Sequence, residues 1–267
     1  MSKNPIVCYL FTKFDKTKSL NTFIKNYKKY KPGHNHNLII CYKLLKKKNI
    51  NTLEKKFQDI EHKVFVDSSD RNDWDFGTYS RLSSSYPNRA IFFMNSHSYP
   101  VSSNWLKKIM SHYKKKTIIA ASGSYESITN EVKLKKFHHI FSFFIKKNKA
   151  KKSFSNFPNP HLNTSSFLIN SDDFNDFIKK QRFNNKYETW KIESGYNSLT
   201  NYFKRRKFNL LVVNSEGKKF LEDKWMYSET YYYKEQKKTI ISDKHSRKYL
   251  TYGKKQKIIS QKSVWGV

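Results

Sequence analysis

Glycine is scarce in this chain. Only seven occur in 267 residues, and none falls in a GxGxxG or GxxxxGKS/T arrangement. Loops that let backbone amides approach phosphate closely need such glycines, so kinase and Rossmann dehydrogenase readings lose their main support. There is also no Gly-x-Ser-x-Gly elbow and no HExxH pair, which sets aside α/β-hydrolase and zincin chemistry. Cysteine is limited to Cys8 and Cys41. Both fall in expected strands, where small buried thiols are the ordinary reading, and no metal-type cysteine cluster exists. Long apolar runs are missing too. The longest, such as residues 39–41 and 90–94, are far too short to span a bilayer, and residues near the start form no secretory-type apolar core. The sequence therefore predicts a cytoplasmic protein.

Acidic residues are few, 21 against 53 basic ones, for a formal net charge of +32. A charge of that size invites a nucleic-acid reading. Yet only seven of the basic residues are arginines, the side chain suited to bidentate recognition of phosphate or guanine. The lysines are spread among many Asn, Ile, Phe and Tyr residues, a mixture that an AT-biased genome produces on its own. The charge reads first as a generally cationic surface, which attracts anionic lipid and nucleotide phosphates. A non-catalytic, lysine-rich nucleic-acid-binding protein stands as the alternative, since 16% aromatic residues would supply stacking platforms.

What is present is an alternation of strands and helices. Short apolar runs at 5–12, 38–42, 62–66, 90–94 and 117–121 read as strands, with helical spacing at 20–30, 52–60 and 105–113. This is the pattern of a doubly wound α/β fold. After Ser127 the rhythm changes. Residues 137–145 (FHHIFSFFI) are followed at once by KKNKAKK. That pair reads either as a basic amphipathic helix on an anionic membrane face or as a core helix with a solvated basic loop. Strands are expected again at 162–169 and 210–213, a helix at 188–203, and an irregular tail from 240. At 267 residues one substantial domain suffices.

The densest run of polar signals lies at 75–105, DFGTYSRLSSSYPNRAIFFMNSHSYPVSSNW. In parallel sheets the ligand crevice lies beyond the carboxyl ends of the strands. Thr12, Asp67 and the triplet Asn95, Ser96 and His97 all stand directly after expected strands. Any single Asp there is at least as commonly a cap for the next element. Arg81, six residues past Asp75, could pair with it or hold a phosphate.

The order DFGTYSRL, IFFMNSHSYP, NW, ASGS, PHLNTSSFLI, ESGYNSLT resembles inverting glycosyltransferases of the GT-A fold. It looks closest to the family-2-like and rhamnan-synthesis-type enzymes of bacterial surface polysaccharides. The resemblance spans residues 6–203. It implies a nucleotide-diphospho-sugar transferase fold, with a mixed α/β sheet flanked by helices in a single domain over 1–267. Residues 1–127 would bind the nucleotide-sugar, and 128–267 would form the acceptor half and tail. It further implies that Phe11, Thr12 and Asp67 face base and ribose, and that Asp75, Gly77 and Arg81 line the donor pocket, with Gly77 allowing close approach of backbone to ligand.

Asn95, Ser96 and His97 would stand where the family places an Asp-x-Asp triplet that holds a divalent cation against the diphosphate. Both acidic residues of that triplet are missing here. Either a Mn²⁺- or Mg²⁺-type ion is held weakly through His97 and Asn95, or a cation such as Arg81 or a lysine substitutes, or activity has been lost. Glu193 matches the position of the family's general base; its other reading is a first-turn glutamate that stabilises a helix. His161 and Asn163 would face the acceptor. In the tail, Asp243, His245 and Arg247 either fold back over the diphosphate, with His245 joining a metal, or form a solvated basic end. The expected partners are a nucleotide-sugar donor and a glycan or glycolipid acceptor, with peripheral contact to the inner, anionic membrane face.

Overall fold

The computed structural model describes residues 4–131 and 140–267. The first three strand–helix alternations follow the apolar runs. They comprise β1 (Ile6–Thr12), α1 (Thr17–Lys29), β2 (Asn37–Lys43), α2 (Lys47–Glu54), β3 (Lys63–Val66) and α3 (Trp74–Ser85). Next come β4 (Ala90–Met94), the two-residue β5 (Tyr99–Pro100), α4 (Trp105–Met110), β6 (Thr117–Ala120) and β7 (Gly123–Ser124).

The second half is more broken. Helices α5 (Ile128–Glu131) and α6 (Ile140–Lys151) precede β8 (His161–Leu162), β9 (Ser166–Asn170) and α7 (Ser171–Ile178). Then follow α8 (Lys186–Ser194), α9 (Leu199–Lys204), β10 (Asn209–Val213), β11 (Lys219–Phe220), β12 (Ile241–Ser242), α10 (Lys244–Leu250) and α11 (Lys254–Trp265).

Eight strands form one sheet in the order β3–β2–β1–β4–β9–β6–β10–β11. Strands β3, β2, β1 and β4 run parallel, as do β6 and β10. Strand β9 runs antiparallel to both neighbours, β4 and β6, and β11 closes the edge antiparallel to β10. This is a mixed α/β sheet flanked by helices, as expected. Strands from both expected halves build it, because β9 and β10 come from beyond residue 128.

Alternation along β1 divides the core. Ile6, Cys8 and Leu10 face α3, α7 and α9, whereas Val7, Tyr9 and Phe11 face α1, α2 and α4. A strand covered on both sides needs apolar residues at every position, and Ile6 to Phe11 supply them. Cys8 and Cys41 are buried and free, with sulfurs 3.4 Å apart across β1 and β2.

Several local expectations are revised. The helix expected at 188–203 is two helices, because Gly195 leaves the α8 geometry and Ser198 caps α9 through its side chain. The strand expected at 162–169 is interrupted between β8 and β9. The tail is not irregular: Asp243 and Ser246 form a reciprocal capping box at the start of α10, and α11 follows. The basic run after Ile145 is helical as far as Lys151, not a loop. Of the helix expected over 137–145, residues 137–139 lie outside the described residues. Among the described residues no helix is long and apolar enough to cross a membrane.

Tyr79 illustrates a cost inside this core. Its ring packs against Phe93 at 4.4 Å, fully buried, but its hydroxyl finds no hydrogen-bond partner among the described residues. A buried unpaired hydroxyl costs on the order of 1–3 kcal/mol. Tyr79→Phe is therefore expected to raise the urea midpoint at unchanged slope; a lower midpoint would show that the hydroxyl is bonded.

Candidate functional site

Strand β9 enters the sheet opposite the last residues of its neighbours, with Ser166 beside Met94 and Phe167 beside Ala120. The segment preceding β9 thus sits at the carboxyl ends of β4 and β6, where ligands bind in open α/β sheets. A cavity of about 350 Å³ opens there. Glu193, His161, Asn163, Ser165, Trp190 and Tyr231 line it, with Tyr232, Asp243 and His245 from the C-terminal region and Glu126 at its edge. Three carboxylates and two imidazoles against aromatic walls match the make-up of a small-molecule site, mostly apolar with a few convergent polar groups.

Glu193 is held at one oxygen only. Oε1 accepts from the Thr164 amide at 3.0 Å and the Thr164 hydroxyl at 2.9 Å, and Oε2 has no hydrogen bond among the described residues. Glu193 lies in the last turn of α8, not the first. A carboxylate there opposes the helix macrodipole, so helix stability does not account for it. His161 Nδ1 is 2.8 Å from the Asn159 carbonyl. Since a carbonyl only accepts, Nδ1 carries the proton and Nε2 is left as an acceptor. Burial lowers the His161 pKa, against the opposing charge of Glu193 and the Asn159 carbonyl, so the ring is neutral near pH 7.

Ser165 links this cavity to the strand-end triplet. Its hydroxyl donates to Asp243 Oδ2 at 3.1 Å, and its carbonyl accepts from the Asn95 amide at 3.1 Å. Within the triplet, Asn95 Oδ1 accepts from the His97 amide (3.1 Å) and the Ser98 hydroxyl (2.9 Å). The Ser96 hydroxyl donates to Asp15 Oδ1 at 2.6 Å, and the Ser96 carbonyl accepts from Tyr9. Asp15 Oδ2 takes the Thr12 amide and hydroxyl, both at 2.8 Å. His97 lies with Nε2 at 3.8 Å from Asp15. Burial lowers the His97 pKa, and Lys244, Arg247 and His245 add to this while Asp15 opposes it. Arg247 caps the turn from outside, donating to the His97 carbonyl at 3.0 Å and lying over Tyr99.

This donor set does not fit a hard divalent ion. The oxygens of Asn95 and Asp15 are already committed, and the side chains converging on His97 from α10 are cationic or imidazole. Among the described residues no three His, Cys, Asp or Glu side chains are grouped to hold a metal. Of the expected ion ligands, Asn95 has its side-chain oxygen engaged within the turn, while His97 and His245 lie at the same end of the cleft.

Asp67, Gly77 and Arg81 belong to a different construction. Arg81 donates to Asp67 through Nε at 2.6 Å and Nη2 at 2.7 Å, and to Asp73 through Nη1 at 2.7 Å. Thr78 and the Ser69 amide also donate to Asp67. Lys43, 1% exposed, pairs with Asp73 and reaches the Trp74 carbonyl at 2.5 Å. Two cations and two carboxylates thus balance in one buried knot joining β2, β3 and α3. Burial alone would raise both carboxyls, but hydrogen bonds from Arg81, with Thr78 or Lys43, outweigh it and hold both pKa values below the usual range.

Neither Asp67 oxygen is left for a base or ribose, and Arg81 is not free to replace a metal. What Gly77 admits is the Asp73 carboxylate, on which an added Cβ would fall. Phe11, 3% exposed and edge-on to Tyr42, is core, and Thr12 holds Asp15. The expected donor-contact roles of these five residues are therefore corrected.

Asp75 stands between the knot and the cavity with no hydrogen-bond partner among the described residues. Burial pushes its pKa up to about 6, reinforced by Asp15 and Glu193 and opposed by Lys43. Sequence reasoning missed Asp15, Lys43, Asp73, Ser165, Trp190, Tyr231 and Tyr232. Two carried a signal: Lys43 closes an otherwise apolar strand, and Asp73 stands where a helix cap belongs.

No protein-family model matches the chain, and no curated protein matches it. Among solved structures the chain is similar to HddC from Yersinia pseudotuberculosis, at 11% identity over 75% of this chain and 97% of that one, TM-score 0.43. It is similar to a 4-diphosphocytidyl-2C-methyl-D-erythritol synthase from Anaerococcus prevotii at 10% identity, covering 79% and 88%, TM-score 0.45. The galactosyltransferase LgtC, solved with donor and acceptor sugar analogues, shows 9% identity over 64% of this chain and 59% of that one, TM-score 0.39. Likenesses of this size do not identify a substrate.

Two outcomes test the electrostatics. Arg81→Leu leaves Asp67 and Asp73 facing Lys43 alone and is expected to cost about 3 kcal/mol in urea unfolding; a loss under 1 kcal/mol would contradict the knot. For Asp75, the unfolded carboxyl loses its proton near pH 4 and the folded one near 6. Between those values the folded state binds more protons, so this group's contribution to stability falls as pH rises through the window. Asp75→Asn should therefore raise the melting temperature above pH 6, with the gain disappearing as pH falls towards 4.

Proposed function

We propose that this protein is an inverting glycosyltransferase. It moves a sugar from a nucleoside diphosphate donor to a hydroxyl of a glycan or glycolipid acceptor. The observation that carries this reading is the cavity at the strand ends, in which Glu193 is anchored by Thr164 through Oε1 and keeps Oε2 unbonded. Glu193 removes the acceptor proton as the hydroxyl attacks the anomeric carbon from the face opposite the leaving diphosphate. Neutral His161 and the Asn163 amide orient the acceptor, and Trp190 and Tyr231 supply apolar walls.

The donor lies across the Asn95–His97 turn. With the triplet's oxygens spent, charge on the departing diphosphate is met by the cationic groups that converge on His97, namely Lys244 and Arg247. Fixed cations of this kind stabilise the leaving group without reorganisation. Most of the acceleration then comes from positioning and from this electrostatic stabilisation.

Two results test the reading. Glu193→Gln keeps size and hydrogen bonding to Thr164 but removes the base. It should lower sugar transfer by about 10²–10⁴-fold while nucleoside diphosphate binding, followed by thermal shift, is kept. Unchanged turnover would remove Glu193 as base. Transfer should also persist in EDTA and fall when Arg247 is changed to Met; strict dependence on Mn²⁺ or Mg²⁺ would overturn the cation assignment. If no nucleotide-sugar shifts the melting point while single-stranded nucleic acid binds tightly and with steep salt dependence, the nucleic-acid alternative takes its place.

A further inference from the structure

Helix α6 carries an apolar face that the described residues leave exposed. Phe141, Phe144 and Ile145, at i, i+3 and i+4, are 81, 54 and 69% exposed. On the opposite side Ala150 is buried, as is Phe154 just past the helix, and the Lys149 carbonyl accepts from Tyr187 of α8. The exposed cluster therefore does not arise from an undocked helix. α6 is seated by one side and leaves three large apolar side chains in water.

The surroundings of the cluster are cationic. No Asp or Glu occurs between residues 140 and 152, whereas Lys146, Lys149, Lys151 and Lys152 are exposed on or just past the same helix. Helix α8 lies alongside, with Tyr187 donating to the Lys149 carbonyl at 2.9 Å. It adds Lys186, whose ammonium sits over the Trp190 ring at 5.2 Å. Its one acid on this side, Glu188, turns back to accept from the Asn184 amide. Contiguous exposed apolar surface marks a docking site. Large apolar residues ringed mostly by lysine have the chemistry of an interfacial helix on anionic lipid.

We propose that the α6 face docks onto an anionic lipid bilayer. The three apolar side chains enter the boundary between headgroups and acyl chains, and the lysines meet lipid phosphate. A second copy of this chain is a poorer occupant, because it would bring an equally cationic surface into contact. Trp190 belongs to both places: it is exposed beside α6 and lines the Glu193 cavity. Docking by α6 therefore brings the cavity near the bilayer and suits a lipid-linked acceptor. That last step rests on the glycosyltransferase reading, whereas the membrane contact does not.

The test is co-sedimentation of the full chain with phosphatidylcholine vesicles, with and without phosphatidylglycerol, measured without any sugar donor. Binding is expected only to the anionic vesicles. Phe141→Ser/Phe144→Ser/Ile145→Ser should weaken it about tenfold or more, at unchanged melting temperature, and Lys146→Gln/Lys149→Gln/Lys151→Gln should weaken it and flatten its salt dependence. Equal binding to neutral vesicles, or full retention by the triple serine variant, overturns the proposal. A dimer abolished by the serine variant, without vesicle binding by the parent, assigns the face to a second copy and overturns it as well. Loss of transfer by Glu193→Gln with vesicle binding intact separates the two proposals.

Discussion

Strand β9 runs against both of its neighbours, and this reversal sets where every polar group of the cleft stands. A parallel strand at that position would place its preceding loop at the amino ends of β4 and β6. Because β9 is antiparallel, residues 161–165 arrive at the carboxyl ends instead. Thr164 then meets Glu193, Ser165 meets Asp243, and the Ser165 carbonyl meets the turn after β4. The ladder bonds of β9 on both sides hold that loop in one place. Catalytic positioning of the kind proposed needs such a rigid support.

Charge is handled in two ways on the two sides of this loop. In the knot of Lys43, Asp73, Arg81 and Asp67, two cations answer two carboxylates, with bidentate geometry from the guanidinium. Groups satisfied in this way serve to fix the start of α3, where Trp74 is held at a φ of +56°. At the cavity the opposite holds. Among the described residues Glu193 has one oxygen without a hydrogen bond, and burial lowers the His161 pKa. Open hydrogen-bonding capacity of this kind suits a site that must change partners during turnover.

The triplet after β4 shows how a strand-end turn can keep its place and change its chemistry. Asn95 and Ser96 have turned their side chains into turn-forming and Asp15-holding groups, leaving His97 as the outward member. The helix that follows β12 brings Lys244, His245 and Arg247 to the same spot. A cationic patch thereby stands at this strand-end turn.

Local pattern alone determined the strand and helix alternation, the burial of both cysteines and the location of polar residues at strand ends. Each of these depends on neighbours within a few residues, through apolar run length and turn chemistry. Tertiary structure decided which of those polar residues work together. Asp15 and Ser96 are 81 residues apart yet share a 2.6 Å hydrogen bond, and Arg81 is taken by Asp67 and Asp73 rather than by a ligand. The direction of β9, the break between α8 and α9, and the helical tail were equally hidden. Hydrogen-bond partnership is a property of three-dimensional proximity, and periodicity along a chain carries no record of it.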